Sequence, residues 1–249
     1  MGAGAALDLL LVFLIASVSS FIHGYIGFGY SIIAMAVMPM FFSMVTSGAI
    51  GTMALLAVCC RIAYSLKSHI NWRKIWIPTM FMVIGKILGT FLLMNMVAQV
   101  LESILGLILI FYSLNALLFR KSLGIKGTKL QGGLLGFLGG IMGGLYNMSG
   151  PAIAVYYMAV CKDDIKEYSA CINCSFVPST IVGMGMHLWY GNYTLPVIQM
   201  GLFSMLGVLI GVSAGIHFFQ KADVTKVKRI TYIFIGSMGV FMLCSSLIF

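Results

Sequence analysis

Charge is scarce in this chain. Only 8% of its 249 residues are charged and 61% are hydrophobic, whereas a soluble domain is about 25% charged. That excludes a soluble globular fold. The apolar residues run continuously and are not confined to one face, which excludes an amphipathic protein lying on a membrane surface. No His-Glu-x-x-His, Walker loop or dinucleotide fingerprint is present, so nothing points to ATP-driven transport within the chain or to these enzyme classes. The six cysteines, Cys59, Cys60, Cys161, Cys171, Cys174 and Cys244, lie in or at the ends of apolar runs and do not form a disulfide framework. Cys171 and Cys174 have no second pair and no nearby histidine, and are read as small residues packing a helix face. The first apolar run has no basic residue before it, so no cleavable leader is expected.

What is present is a set of apolar runs, each near the roughly 20 residues that span a bilayer, and two glycine-rich breaks within them. The first break is Gly24-Tyr25-Ile26-Gly27-Phe28-Gly29-Tyr30-Ser31. Its counterpart, 120 positions later, is Gly144-Leu145-Tyr146-Asn147-Met148-Ser149-Gly150-Pro151. Glycine costs about 1 kcal/mol and proline about 3 inside a helix, so each octet should interrupt one. Irregular backbone at membrane depth is tolerated only where protein or a water-filled cavity covers it. Paired breaks in corresponding halves point to a transporter's binding site.

The expected helices are 7–22, 31–42 with Pro39 as a kink, 44–66, 75–94 and 101–119. After the basic loop come 130–145, 151–161, 168–189, 195–219 and 230–249. This gives an all-α polytopic membrane protein of eight to ten helical segments. Residues 1–120 and 130–249 are two repeats joined by a cytoplasmic linker, 121–129. Gly24, Ile33 and Ala34 match Gly144, Ile153 and Ala154 at a spacing of 120, and Gly85 and Gly89 match Gly207 and Gly211 at 122.

The net charge of +9 is explained by membrane orientation and not by nucleic acid. Thirteen of the 15 Lys and Arg residues fall in four loops: Lys67 to Lys74, Arg120 to Lys129, Lys162 to Lys166, and Lys221 to Arg229. Basic loops are cytoplasmic. With these four inside, loop 67–74 and its repeat mate 190–194 lie on opposite sides. The two repeats are therefore inverted, as in many secondary carriers.

Lys86 is the sharpest single residue. It lies roughly 16 Å into its span at 1.5 Å per residue, near the middle of a core about 30 Å thick. No acidic residue sits at that depth. Ionisable residues within the membrane mark function by default, and Lys86 is read as binding or gating a substrate anion, with pairing to backbone carbonyls as the competing reading. Arg61, nearer an inner end, either snorkels or lines an inner vestibule. His23 flanks the first break and is a gating or proton-linked candidate. His187 and His217 are near helix ends and read as interfacial. Asn173 and Ser175 lie mid-span, facing a cavity or bonding across helices.

Half-helix N-termini attract anions. Gly27, Gly29, Tyr30 and Ser31 at one break, and Tyr146, Asn147, Ser149 and Gly150 at the other, join Lys86 and Asn173 as substrate-binding candidates. The reading is a secondary carrier of a small anion, not an enzyme, needing no cofactor or metal. An anion channel on the same architecture is the alternative. An intramembrane serine protease using Ser149 and His187 is a third, requiring contact within about 3 Å.

The first octet, with Gly24, Gly27 and Gly29, its counterpart, with Gly144, Gly150 and Pro151, and the basic central loop together resemble the sulfite exporter TauE/SafE family. It is also called the toluene sulfonate uptake permease family. The resemblance covers essentially the whole chain. It implies two such halves in a bacterial inner membrane and a sulfur-containing substrate such as sulfite, thiosulfate or an organosulfonate. Asn147 and Ser149 stand where the family commonly has glycine. The expected partners are the anion and the lipid bilayer, with no nucleic acid; a homo-oligomer is left open.

Overall fold

The computed structural model describes residues 3–26, 29–118, 126–161 and 164–218, together with 233, 236–241 and 243–244. Among these there is no strand, and nine α-helices are defined. The expected positions Gly27, most of the central basic loop, loop 221–229 and most of the last span lie outside the described residues.

The first five helices are α1 (Ala3–Ile26), α2 (Tyr30–Val37), α3 (Met44–Ser65), α4 (Trp72–Asn95) and α5 (Ala98–Leu118). Pro39 sits in a short 3-10 turn, Met38–Met40, that ends α2. α3 starts at Ser43, whose hydroxyl accepts the Thr46 N–H at 3.2 Å, satisfying one of the donors a helix start leaves open. After the central loop come α6 (Lys129–Tyr146), α7 (Gly150–Cys161), α8 (Ile165–Trp189) and α9 (Leu195–Phe218). α6 opens with a reciprocal capping box between Thr128 and Gln131.

Five of these helices, α1, α3, α4, α8 and α9, are long and apolar enough to cross a membrane. Their outward faces carry large apolar side chains: Leu7, Leu10 and Leu14 on α1, Ile84, Ile87 and Phe91 on α4, and Leu202, Leu206 and Ile210 on α9 are all exposed. Their inward faces mix small and polar residues, such as Gly48, Thr52 and Gly85, with apolar ones, such as Ile50, Val58 and Met82. An apolar outer face suits lipid, where helices associate by close packing.

The closest packing joins α1 to α9 and α4 to α6. The backbones in these seams nearly touch. A Cβ placed on Gly89 would fall 2.2 Å from the Ile141 carbonyl oxygen, and one on Gly211 would fall 2.1 Å from that of Ser17. The glycines at spacing 122 thus lie one pair in each seam. Between them, α3 meets α8, α3 also touches α9, and α8 also touches α4. Helices from the two parts of the chain interleave, and both breaks come to the centre.

Candidate functional site

At the first break α1 ends at Ile26, and Gly29, with φ of 115°, leads into α2. Few residues other than glycine adopt that conformation. One turn back along α1, His23 Nδ1 accepts the backbone N–H of Tyr30 at 3.2 Å. A nitrogen that accepts is unprotonated, so Nε2 carries the ring proton. That proton is donated to Asn173 Oδ1 at 3.0 Å, and Asn173 Nδ2 in turn donates to the Ser169 carbonyl at 2.9 Å. His23 therefore covers one open donor at the start of α2, and α8 orients His23.

The second break turns on Asn147, at φ of 55° the one non-glycine residue with positive φ among those described. It closes α6 as a left-handed cap, with its N–H bonded to the Gly143 carbonyl at 2.9 Å. Asparagine tolerates this conformation better than most residues. Its side chain ties α3 and α4 to the end of α6. Nδ2 donates to the Gly48 carbonyl at 2.8 Å. Oδ1 accepts from Lys86 Nζ at 2.8 Å. The Thr52 hydroxyl shares its proton between Oδ1, at 2.9 Å, and the Gly48 carbonyl, at 2.7 Å. Lys86 Nζ also donates to the Gly143 carbonyl at 2.6 Å.

Both breaks open on one small cavity. From the first come His23, Gly29, Tyr30 and Ser31; from the second come Asn147, Met148, Ser149 and Gly150; Leu55 and Phe176 are among the apolar walls. Tyr30 is fully buried, and its hydroxyl has no hydrogen-bond partner among the described residues. An unpaired buried hydroxyl costs about 1–3 kcal/mol.

Other candidates lie elsewhere. The Tyr146 hydroxyl donates to the Leu101 carbonyl at 3.0 Å, toward α5. Asn173 and Lys86 stand behind the cavity wall, bonded to His23 and Asn147 respectively. Arg61 is remote, near the end of α3, bonded to the Ser65 side chain. His187, in the last turn of α8, is buried within the protein. Its Nδ1 lies 3.1 Å from Asn192 Nδ2, and its ring packs beside Gly48, so its bonded partner is Asn192 and not Ser149. Cys171 groups with Cys161 and Glu167, their ligand atoms within 4.8 Å of one another. The Glu167 carboxylate there is engaged by Lys74 Nζ at 2.8 and 2.9 Å and by Asn71.

Thr52 and Gly48 were missed by sequence reasoning. They stand 121 positions before Asn173 and Ser169 in the sequence. Thr52 on α3 bonds the break that follows α6, and Asn173 on α8 bonds the break that follows α1.

A polytopic helical membrane protein whose two broken helices share a buried cavity belongs structurally with the membrane transporters. The family model described as Sulfite exporter TauE/SafE matches residues 12–242. The chain belongs to that family, and is a membrane transporter. No curated protein and no solved structure gives a match.

Proposed function

We propose that this protein is a secondary carrier of a small sulfur-containing anion, such as sulfite, thiosulfate or an organosulfonate, bound between the two breaks. The shared cavity is the observation that carries this reading. The first turn of a helix has four N–H groups without intrahelical partners and a partial positive charge. At α2 one of these is taken by His23. The start of α7, with Ser149 and Gly150 on the cavity, is the better anion cradle, and the unpartnered Tyr30 hydroxyl supplies a donor opposite. Gly29 and Ser31 complete the wall, Gly27 adjoins it in sequence, and His23 and Asn173 hold the first break in place.

Residues 1–120 and 130–249 are read as inverted repeats. The support is the pattern of helix contacts: exchanging α1 with α6, α3 with α8 and α4 with α9 turns each principal seam into the other. Alternating access would rock these units about the breaks. The basic loops are read as cytoplasmic and the membrane as the bacterial inner membrane.

Binding tests the proposal. Purified protein is heated with sulfite, thiosulfate, methanesulfonate or chloride. Selective stabilisation by a sulfur anion, weakened in Tyr30→Phe, supports the carrier. Equal response to all four, or to none, removes the sulfur assignment. Uncoupled, non-saturating chloride flux in liposomes would make it a channel.

A further inference from the structure

Lys86 is 2% exposed and buried in the middle of the structure. Among the described residues no carboxylate reaches it, and Lys74–Glu167 is the ion pair found. Its ammonium is held instead by oxygens, the Gly143 carbonyl at 2.6 Å and Asn147 Oδ1 at 2.8 Å. Both belong to the C-terminal end of α6, the negative end of a helix dipole. The surroundings are shaped for the lysine stem. A Cβ on Gly183 would fall 2.3 Å from Lys86 Cε, so α8 leaves room there only because it has no side chain.

Broken-helix carriers use the carbonyls at half-helix C-termini to coordinate a coupling sodium ion or proton. We propose that the oxygen cage at the end of α6 is a cation site whose resident is the tethered ammonium of Lys86, so that the protein carries its own counter-cation and does not use sodium. Asn147 links the cage to the anion, because its side chain binds Lys86 while the residue lines the cavity. The positive charge thus stands one residue behind the anion, close enough to balance it and held off from direct ion pairing. A carrier built this way needs no second solute to neutralise a monoanion.

This inference rests on the carrier reading, and its test separates the two. Lys86→Ala removes the atoms of n-propylammonium and leaves the oxygens. In proteoliposomes, flux of the anion identified by binding should persist in the wild type when sodium is replaced by choline. It should fall by at least about tenfold in Lys86→Ala, as expected when a buried charge partner is removed. Millimolar n-propylammonium should restore it in part. Lys86→Met, which fills the space without charge, should be folded, inactive and not rescued. Sodium-dependent wild-type flux, an active Lys86→Met, or a folded Lys86→Ala that n-propylammonium does not rescue would overturn the proposal. Thermal shift without any anion reads the cage alone: n-propylammonium should stabilise Lys86→Ala and leave Lys86→Met and wild type unmoved. That result would stand even if every tested anion failed as substrate, and its absence would count against the cage even if the anion reading held.

Discussion

His23 and Asn173 are 150 residues apart in sequence and joined by a buried hydrogen bond of 3.0 Å. The bond fixes which ring nitrogen accepts the Tyr30 N–H, and so how the first break is closed. Replacing Asn173 with alanine leaves the His23 Nε2–H and the Ser169 carbonyl without these partners. The expected cost is about 1–3 kcal/mol, read as a lower Tm in detergent. Asn173→Asp keeps an acceptor for His23 and should restore that contact, with a smaller loss than Asn173→Ala.

The two glycine seams should be intolerant of a single methyl group. Gly211→Ala would place Cβ 2.1 Å from the Ser17 carbonyl oxygen and 2.2 Å from Ser20 Oγ. Backbone cannot yield cheaply, so the helices must separate, at about 1–3 kcal/mol or more. Gly185, on α8, is the control, because a Cβ there meets nothing within 4 Å. Gly185→Ala should be neutral or stabilise by up to about 1 kcal/mol through helix propensity. Equal loss of folded protein in both variants, by fluorescence size exclusion, would refute the packing account.

The breaks and most span limits were legible because glycine, proline and continuous apolar runs report backbone propensity and lipid exposure directly. Helix starts were less so. α4 begins at Trp72 and α8 at Ile165, three residues before their apolar runs, because Arg73, Lys74, Lys166 and Glu167 read as loop but form helical first turns. His187 looked interfacial from its position near a helix end; tertiary packing against Gly48 buries it. Lys86 was legible by depth. Its oxygen partners were not, since nothing local to α4 tells that Gly143 and Asn147 will stand beside it. Thr52 was invisible for the same reason: its partner, Asn147, lies 95 residues away.

Tyr30→Phe separates a binding role from a packing role. The hydroxyl is buried without a partner, so without ligand its removal should be neutral or raise Tm, since an unmet desolvation cost disappears. If the hydroxyl donates to the anion, the same variant should weaken anion binding by about tenfold, or about 1.4 kcal/mol. Lower stability with unchanged affinity would return Tyr30 to the packing.

Asp164 gives a pH signature outside the spans. It caps α8, and the N–H groups of Glu167 and Lys166, each at 2.9 Å, hold its carboxyl below the usual carboxylate range. A carboxylate lowered on folding contributes stability above its unfolded pKa, about 3.9, and loses it as pH falls through the folded value. The Tm gap between wild type and Asp164→Ala should therefore be full at neutral pH and shrink in acid. Asp164→Asn retains a capping oxygen without a charge, and its gap to Asp164→Ala should not vary with pH.

Asn147 combines a strained backbone with a side chain bonded to three residues, and two substitutions divide these. Asn147→Gly keeps the φ of 55° without strain but loses the contacts to Gly48, Thr52 and Lys86. Asn147→Ala loses the same contacts and adds the left-handed penalty, about 1–2 kcal/mol. Both should abolish most flux, because each leaves Lys86 with only the Gly143 carbonyl of its two acceptors. Asn147→Gly should nonetheless fold better, with the Tm difference between the variants reporting the backbone alone. If Asn147→Gly were fully active, the family's commoner glycine would suffice here, and the link from cavity to Lys86 through the Asn147 side chain would be wrong.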